Sequence, residues 1–448
     1  MNLALVSNIE DASVPMQPRG LAELGLPETL LVDLVLKHLL RARESTVADL
    51  AQRTALAGTI LEPLLAKLRE ERVVDISRRG TVDAQLAFRL TEAGFQRAAE
   101  AAAASRYCGP APVSLDEYRK RIETQSLERT NVNGPDLRRA LADMVVGEDL
   151  LEDLGAALNS GRSIYLYGPS GSGKTSLAER MVAALPGTIR VPHALWAGDH
   201  IVSVFDPTVH REVPQVVSIA PGLDRTARPD ARWIEVERPA VVTGGELTLE
   251  ALDLGFDPVT RIHAAPPQLK ANGGLLIVDD LGRQRVSPRE LINRWIVPLD
   301  RRNDFLALVN GVRVEVPFDV RVVFASNLAP GELADPAFVR RIGYKIHIGA
   351  MPEADYRELV RSACERHGVS IDDAMIDHLV RNLHMRHGQP LLPAIPLDLV
   401  DKLRDRAAYL GLPVRVSREQ LDWAWRLYFG AGSGPVLRES AEGAESKP

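Results

Sequence analysis

Cysteine is scarce in this 448-residue sequence: only Cys108 and Cys364 occur, far apart and in no metal-type spacing. Two thiols cannot build a disulfide framework, which points to a reducing compartment. Long apolar runs are missing too, and no stretch approaches the roughly 20 residues that a membrane span needs. Positive charge is not in excess. The formal net charge is −6, which argues against a mainly electrostatic nucleic-acid binder. The segment Met1–Val6 has no basic residue and is soon followed by Glu10 and Asp11, so no signal peptide is expected and the expected placement is cytoplasmic. No internal repeat is visible. What remains is an ordinary globular composition, 45% hydrophobic and 25% charged, with length for about three domains.

Residues 1–20 carry Pro15, Pro18 and Gly20 and read as a loose tail. From there to residue 105 the spacing predicts helices around Leu31–Leu39, Thr46–Thr54 and Ile60–Arg72. Strands follow at Val73–Ser77 and Leu86–Leu90, then a helix from Thr91 through Ala104. Three helices and a two-stranded ribbon make a winged-helix order, giving a first domain at 21–105. Gly109, Pro110 and Pro112 mark a linker over 106–136. After a helical stretch at Leu137–Leu158, strand and helix alternate as a parallel α/β sheet requires. The strand candidates are Ser163–Tyr167, Thr188–Val191, Leu275–Val278 and Val320–Ala325. This core spans 137–350, with a long insert over 187–272. A helical lid is expected over 351–430 and a disordered Gly-, Ser- and Glu-rich tail over 431–448.

Within the core, Gly168-Pro169-Ser170-Gly171-Ser172-Gly173-Lys174-Thr175 matches the phosphate-loop pattern G-x-x-x-x-G-K-[ST] in full. Glycines let several N–H groups face one anion, Lys174 brings a positive charge to the β/γ-phosphates, and the Thr175 hydroxyl suits Mg²⁺. Ser176 continues into a helix whose dipole points at the phosphates. The apolar strand Ile164–Tyr167 precedes the loop, and Leu177, Met181 and Leu185 line one face of the helix after it. A second apolar strand, Leu275–Val278, ends in Asp279 and Asp280. In a phosphate-loop enzyme the first carboxylate holds the Mg²⁺ shell and the next orients and deprotonates the attacking water. Ser287-Pro288-Arg289-Glu290 is a capping box that opens a helix. Asn310-Gly311, between Phe305–Val309 and Val312–Val316, signals a hairpin with a type I′ turn.

These motifs resemble an AAA+ ATPase module with its helical lid, over about Leu137 to Phe429. Val145-Val146-Gly147-Glu148 resembles the adenine-side segment, and Asn272 through Asp280 resembles the Walker B strand. The strand ending Ala325-Ser326-Asn327 resembles sensor 1, with Asn327 set to contact the water or γ-phosphate. The hairpin before it is similar to that of the clade holding MoxR-like ATPases and bacterial enhancer-binding activators. Ala334–Ile342 resembles the segment with the arginine finger, which implies Arg341, or else Arg340, acting on a neighbouring subunit's nucleotide. The resemblance implies bound ATP and Mg²⁺ and a homo-oligomeric ring, a hexamer, that remodels or matures a protein client. The chain departs from the family at Asp280, where Glu is usual. It also departs at Ile395–Leu399, where no sensor 2 arginine stands; Arg404 and Arg406 lie further along.

The insert carries strand-like Ile201–Phe205, Trp233–Val236 and Val241-Val242, a possible helix at Leu247–Leu254, and a mobile-looking stretch with Pro221, Arg225 and Arg228. With the Asn310-Gly311 hairpin it reads as a pore- or partner-facing surface, or as structural decoration. The third helix of the front domain balances Lys67, Arg69 and Arg72 against Glu62, Glu70 and Glu71; Arg78 and Arg79 sit at the wing tip. DNA binding is therefore possible but not favoured over protein docking. His378, His384 and His387 match no metal spacing and read as surface or packing residues. Two alternatives remain open: a DNA-associated ATPase or regulator, and a slow-turnover ATP-dependent switch.

Overall fold

The computed structural model describes residues 14–78, 86–214, 228–333 and 339–430. The tail at 431–448, the wing-tip Arg79, the insert residues Pro221 and Arg225, and Ala334–Phe338 lie outside the described residues. The core is a five-stranded, all-parallel sheet. In chain order its strands are β1 (Ile164–Tyr167), β2 (Ala240–Thr243), β3 (Leu275–Val278), β4 (Arg321–Ser326) and β5 (Tyr344–His347). In space they run β2-β3-β4-β1-β5. Every residue of β3 and β4 is buried, as expected of parallel strands covered on both faces. Alternate side chains serve the two faces. Ile164, Leu166, Leu275, Ile277 and Val323 pack with Leu154, Ala157, Leu177 and Met181 on one side. Tyr165, Leu276, Val278, Val322 and Phe324 pack with Trp295 on the other.

Two expectations about this sheet are corrected. Thr188–Pro192 is a strand, but it pairs antiparallel with Trp233–Glu237 outside the core. The core strand comes instead from within the segment 187–272 expected as an insert: Ala240–Thr243 joins β3 in parallel register. Gly274 permits this approach, since a Cβ there would stand 2.0 Å from the Pro239 carbonyl oxygen. The expected helix at Leu247–Leu254 is only a 3₁₀ turn over Glu250–Leu252.

Most of the other described insert residues form an annex, and the middle of the expected linker, Val113 to Thr124, packs with it. Val113–Ser114 pairs with Ala194–Ala197 at the edge of a second five-stranded sheet, followed by helix Leu115–Thr124. Val113, Tyr118 and Ile122 are buried against Ile189, Leu195, Val202 and Trp233, so apolar burial orders a segment that its prolines had suggested was loose. The hairpin Asn303–Ala307/Arg313–Pro317 packs into the same cluster. Its loop has three residues, closed by Leu308 N–H to the Val312 carbonyl at 2.8 Å. Gly311 has φ +81 while Asn310 keeps a negative φ, so the turn is a three-residue loop with glycine in the left-handed position, not type I′.

The front domain runs helix Glu28–Ala42, strand Glu44–Thr46, helices Val47–Thr54 and Gly58–Glu70, strands Val74–Arg78 and Ala87–Leu90, and helix Glu92–Ala104. The short strand Glu44–Thr46 pairs with Ala87–Leu90 and makes a three-stranded sheet where two strands were expected. The lid holds helices Glu353–Arg366, Asp373–Asp377, Ala394–Leu410 and Arg418–Phe429. A π-helical stretch, His378–Met385, lies between the second and third of these. Here His384 is buried, with the Tyr356 hydroxyl 2.7 Å from its Nε2, and His378 pairs with Asp422 at 2.7 Å. No helix among the described residues is long and apolar enough to cross a membrane.

Candidate functional site

Strands β1, β3 and β4 all end on the same side of the parallel sheet, where ligands of such sheets collect. Gly168 leaves β1 with φ +148, and a Cβ at this position would stand 2.1 Å from the Ile348 carbonyl oxygen. Only glycine lets the loop pass the end of β5. Gly171 and Gly173 also take positive φ, 81° and 88°. Gly173 is the N-cap of helix Lys174–Met181 and offers no side-chain cap. The first-turn N–H groups therefore lack intrahelical acceptors and, with the helix dipole, suit a phosphate.

Lys174 is buried. Its Nζ donates to the carbonyls of Gly168 (3.0 Å) and Pro169 (2.8 Å) and to Asn327 Oδ1 (2.9 Å). Burial pulls its ammonium below the ordinary lysine value, and the nearby carboxylates of Asp279 and Asp280 act in the other direction. Thr175 Oγ1 donates to Asp279 Oδ1 at 2.8 Å, and the same oxygen accepts the Asp280 N–H at 3.0 Å. Residues far apart in sequence thus touch: the loop, the acidic strand end and Asn327 form one polar cluster.

Asp280 adopts φ +51. Aspartate tolerates this left-handed conformation better than most residues. Its carboxylate is 48% exposed and lies 3.9 Å from Arg283.

A cavity of about 670 Å³ opens over the cluster. Ser170 through Ser176 line it from below, Met144–Gly147 from one side, and Asp279, Asp280 and Asn327 from the end. Val146 thereby lies beside the phosphate loop. The lid closes the cavity with Leu359, Pro393, Ala394 and Leu397, and is tied to the loop by Ala394 N–H to the Gly171 carbonyl at 3.1 Å. These residues fit a magnesium nucleoside triphosphate. The cradle at Gly168 is one that a Cβ would fill, and a hydroxyl and a carboxylate meeting at 2.8 Å are hard-oxygen donors of the type Mg²⁺ takes.

Arg340 and Arg341 are exposed and do not line this cavity; Arg341 Nε lies 3.6 Å from Asp300. Arg366, at the end of the first lid helix, does line it. Sequence reasoning missed it because a single arginine at a helix end carries no local signal. Leu397, where a sensor 2 arginine was sought, contributes an apolar wall. Arg404 is paired with Asp401 and Arg406 stacks over Trp423, so neither supplies that role within the cavity.

One family model matches, described as "Domain of unknown function (DUF8689)", over residues 352–427, within the lid. No curated relative matches the chain. Among solved structures, the chain is similar to the Thermotoga maritima RuvB Holliday junction branch migration motor, at 15% identity and TM-score 0.34. The match covers 67% of this chain and 72% of that one. It is also similar to NtrX from Brucella abortus in complex with ADP, at 17% identity and TM-score 0.36, over 60% of this chain and 53% of that one. Likenesses this distant carry no argument about activity, which rests on the geometry of the site itself.

Proposed function

We propose that the chain is an AAA+ ATPase that binds and hydrolyses ATP with Mg²⁺ to remodel or mature a protein partner. The observation that carries this reading is the convergence of Lys174, Thr175, Asp279, Asp280 and Asn327 on one lid-covered cavity at the ends of β1, β3 and β4. The phosphate loop from Gly168 to Ser176 binds the triphosphate through backbone N–H groups, and Lys174 exchanges its carbonyl partners for phosphate oxygens. Val146 borders the base. Thr175 and Asp279 hold Mg²⁺, which when bound neutralises charge on the β/γ-phosphates. Asp280 accepts the proton of the attacking water, and Asn327, already bonded to Lys174, orients that water. Arg341, or Arg340 beside it, acts on the neighbouring subunit's nucleotide in a ring. Exposure on the core surface outside the chain's own cavity supports that assignment.

Nucleotide titration tests the binding half. Wild type should bind ATP with Mg²⁺, and Lys174→Ala should weaken it by about a hundredfold. Equal affinity in both proteins would remove the loop from its role.

A slow-turnover switch is the second reading, favoured by the short Asp280 side chain on a left-handed backbone beside Arg283. The DNA reading has less support. Lys67 of the third front-domain helix is paired with Glu28 at 2.7 Å, and Arg97 with Glu71 at 2.8 Å. The exposed face of that helix balances Lys67 and Arg69 against Glu62 and Glu70. Salt-dependent DNA binding by the full chain at low ionic strength would revive it.

A further inference from the structure

We infer that Gln284 and Ser326 are positioning residues that aim Asp280 and Asn327 at the reacting water, an inference that rests on the ATPase reading above. Gln284 lies four residues beyond Asp280 on the turn that follows β3. Its Nε2 donates to the Asp279 carbonyl at 2.7 Å, and its Oε1 accepts the Gly282 N–H at 2.8 Å. One primary amide thus supplies a donor and an acceptor on either side of Asp280 and closes the turn as a clamp. Inside it, Arg283 N–H donates to the Asp280 carbonyl at 2.9 Å. Two residues of the turn have left-handed φ, Asp280 at +51° and Gly282 at +109°. A non-glycine residue keeps such a conformation only when its surroundings over-determine it. The Gln284 clamp does so here.

Ser326 braces this turn against the strand that carries Asn327. Its buried Oγ donates to the Leu281 carbonyl at 2.6 Å and accepts the Leu328 N–H at 3.2 Å. The Leu281 N–H donates to the Ala325 carbonyl at 2.8 Å. The Tyr165 hydroxyl, from β1, donates to the Leu328 carbonyl at 2.7 Å. The ends of β1, β3 and β4 are therefore cross-linked by side chains immediately behind the polar cluster. Neither Gln284 nor Ser326 lines the cavity, so their effect on the reaction runs through Asp280 and Asn327.

The test uses the full chain and compares single-turnover phosphate release with the affinity for a fluorescent ATP analogue. Gln284→Ala should lower the chemical rate by about tenfold to a hundredfold, the scale of a small misplacement of a reacting group, with nucleotide affinity unchanged. Gln284→Glu keeps the acceptor for Gly282 but loses the donor to Asp279, and should be intermediate. Ser326→Ala should behave like Gln284→Ala. In an Asp280→Asn background, Gln284→Ala should cost nothing more, because the two act as a unit. A Gln284→Ala rate equal to wild type overturns the inference. So does an equal loss in the Asp280→Asn background, or a parallel fall in affinity. If Gln284→Ala does not fold, the Gln284→Glu rate decides in the same way. A wild type without Lys174-dependent turnover would instead remove the ATPase reading, and this inference with it.

Discussion

The core sheet and the annex beside it bury different chemistry. In β3, and in Ile164–Leu166 of β1, every buried side chain is apolar apart from the Tyr165 hydroxyl; the buried polar residues of β2 and β4, Thr243, Arg321 and Ser326, stand at strand ends, as do the site's charges. The annex buries charge in its middle. Arg232 is fully buried, donates to Asp230 at 2.7 Å and to Glu117 at 2.9 Å, and holds the Pro112 carbonyl. Burial pushes the Glu117 carboxyl up, and Arg232 opposes the shift. The difference teaches which region can change conformation at low cost to the chemistry. Parallel strands with apolar centres fix the strand ends, whereas a buried ionic network holds its geometry only while every partner is present.

The largest effect is expected at the subunit boundary of the proposed ring. Arg341→Ala should reduce turnover by about a thousandfold if it acts in trans on the neighbour's phosphate, with nucleotide affinity unchanged. Unchanged turnover would make Arg341 a plain surface residue paired with Asp300.

Next in size is Arg232→Met, which leaves the buried Asp230 and the half-buried Glu117 without their cation. The annex should lose about 3–5 kcal/mol of local stability, read by hydrogen exchange in Trp233–Glu237, while protection in β3 changes little. Equal loss in both regions would show that core and annex unfold as one unit.

The smallest effect is with pH. Burial holds His193, His210 and His263 of the annex below the ordinary histidine value. The folded state therefore binds fewer protons than the unfolded one. Their contribution is fully present above about pH 6.5 and is lost as pH falls from there toward the folded values, by up to about 1.4 kcal/mol per histidine per unit. Annex protection should decline between pH 7.5 and 5.5, and a flat profile would contradict the assignment.

Legibility follows the same divide. The phosphate loop, the acidic strand end and Asn327 were readable because each is a short local pattern whose chemistry fixes its residues. The annex was not. Val113–Ser114 pairs with a strand some 80 residues on, at Ala194–Ala197, and no periodicity in the prolines around it announces that partner. Ala240–Thr243 reads as any short apolar run until β3 lies beside it, so it was assigned to an insert when it belongs to the core. Arg366 and Gln284 were missed for a related reason: each is placed by folded geometry and has no motif of its own. The glycine at 282, two residues past Asp280, was the one local hint of the tight turn that Gln284 closes.

In the proposed function Lys174, Asp279 and Asp280 form one hydrolytic site. Steady-state phosphate release from ATP with Mg²⁺, in wild type, Lys174→Ala and Asp280→Asn, tests it most directly. Wild type should turn over, Lys174→Ala should abolish turnover, and Asp280→Asn should cut it to a small measurable residual while still binding ATP. Turnover that survives Lys174→Ala, or that Asp280→Asn leaves unchanged, would contradict the proposed function.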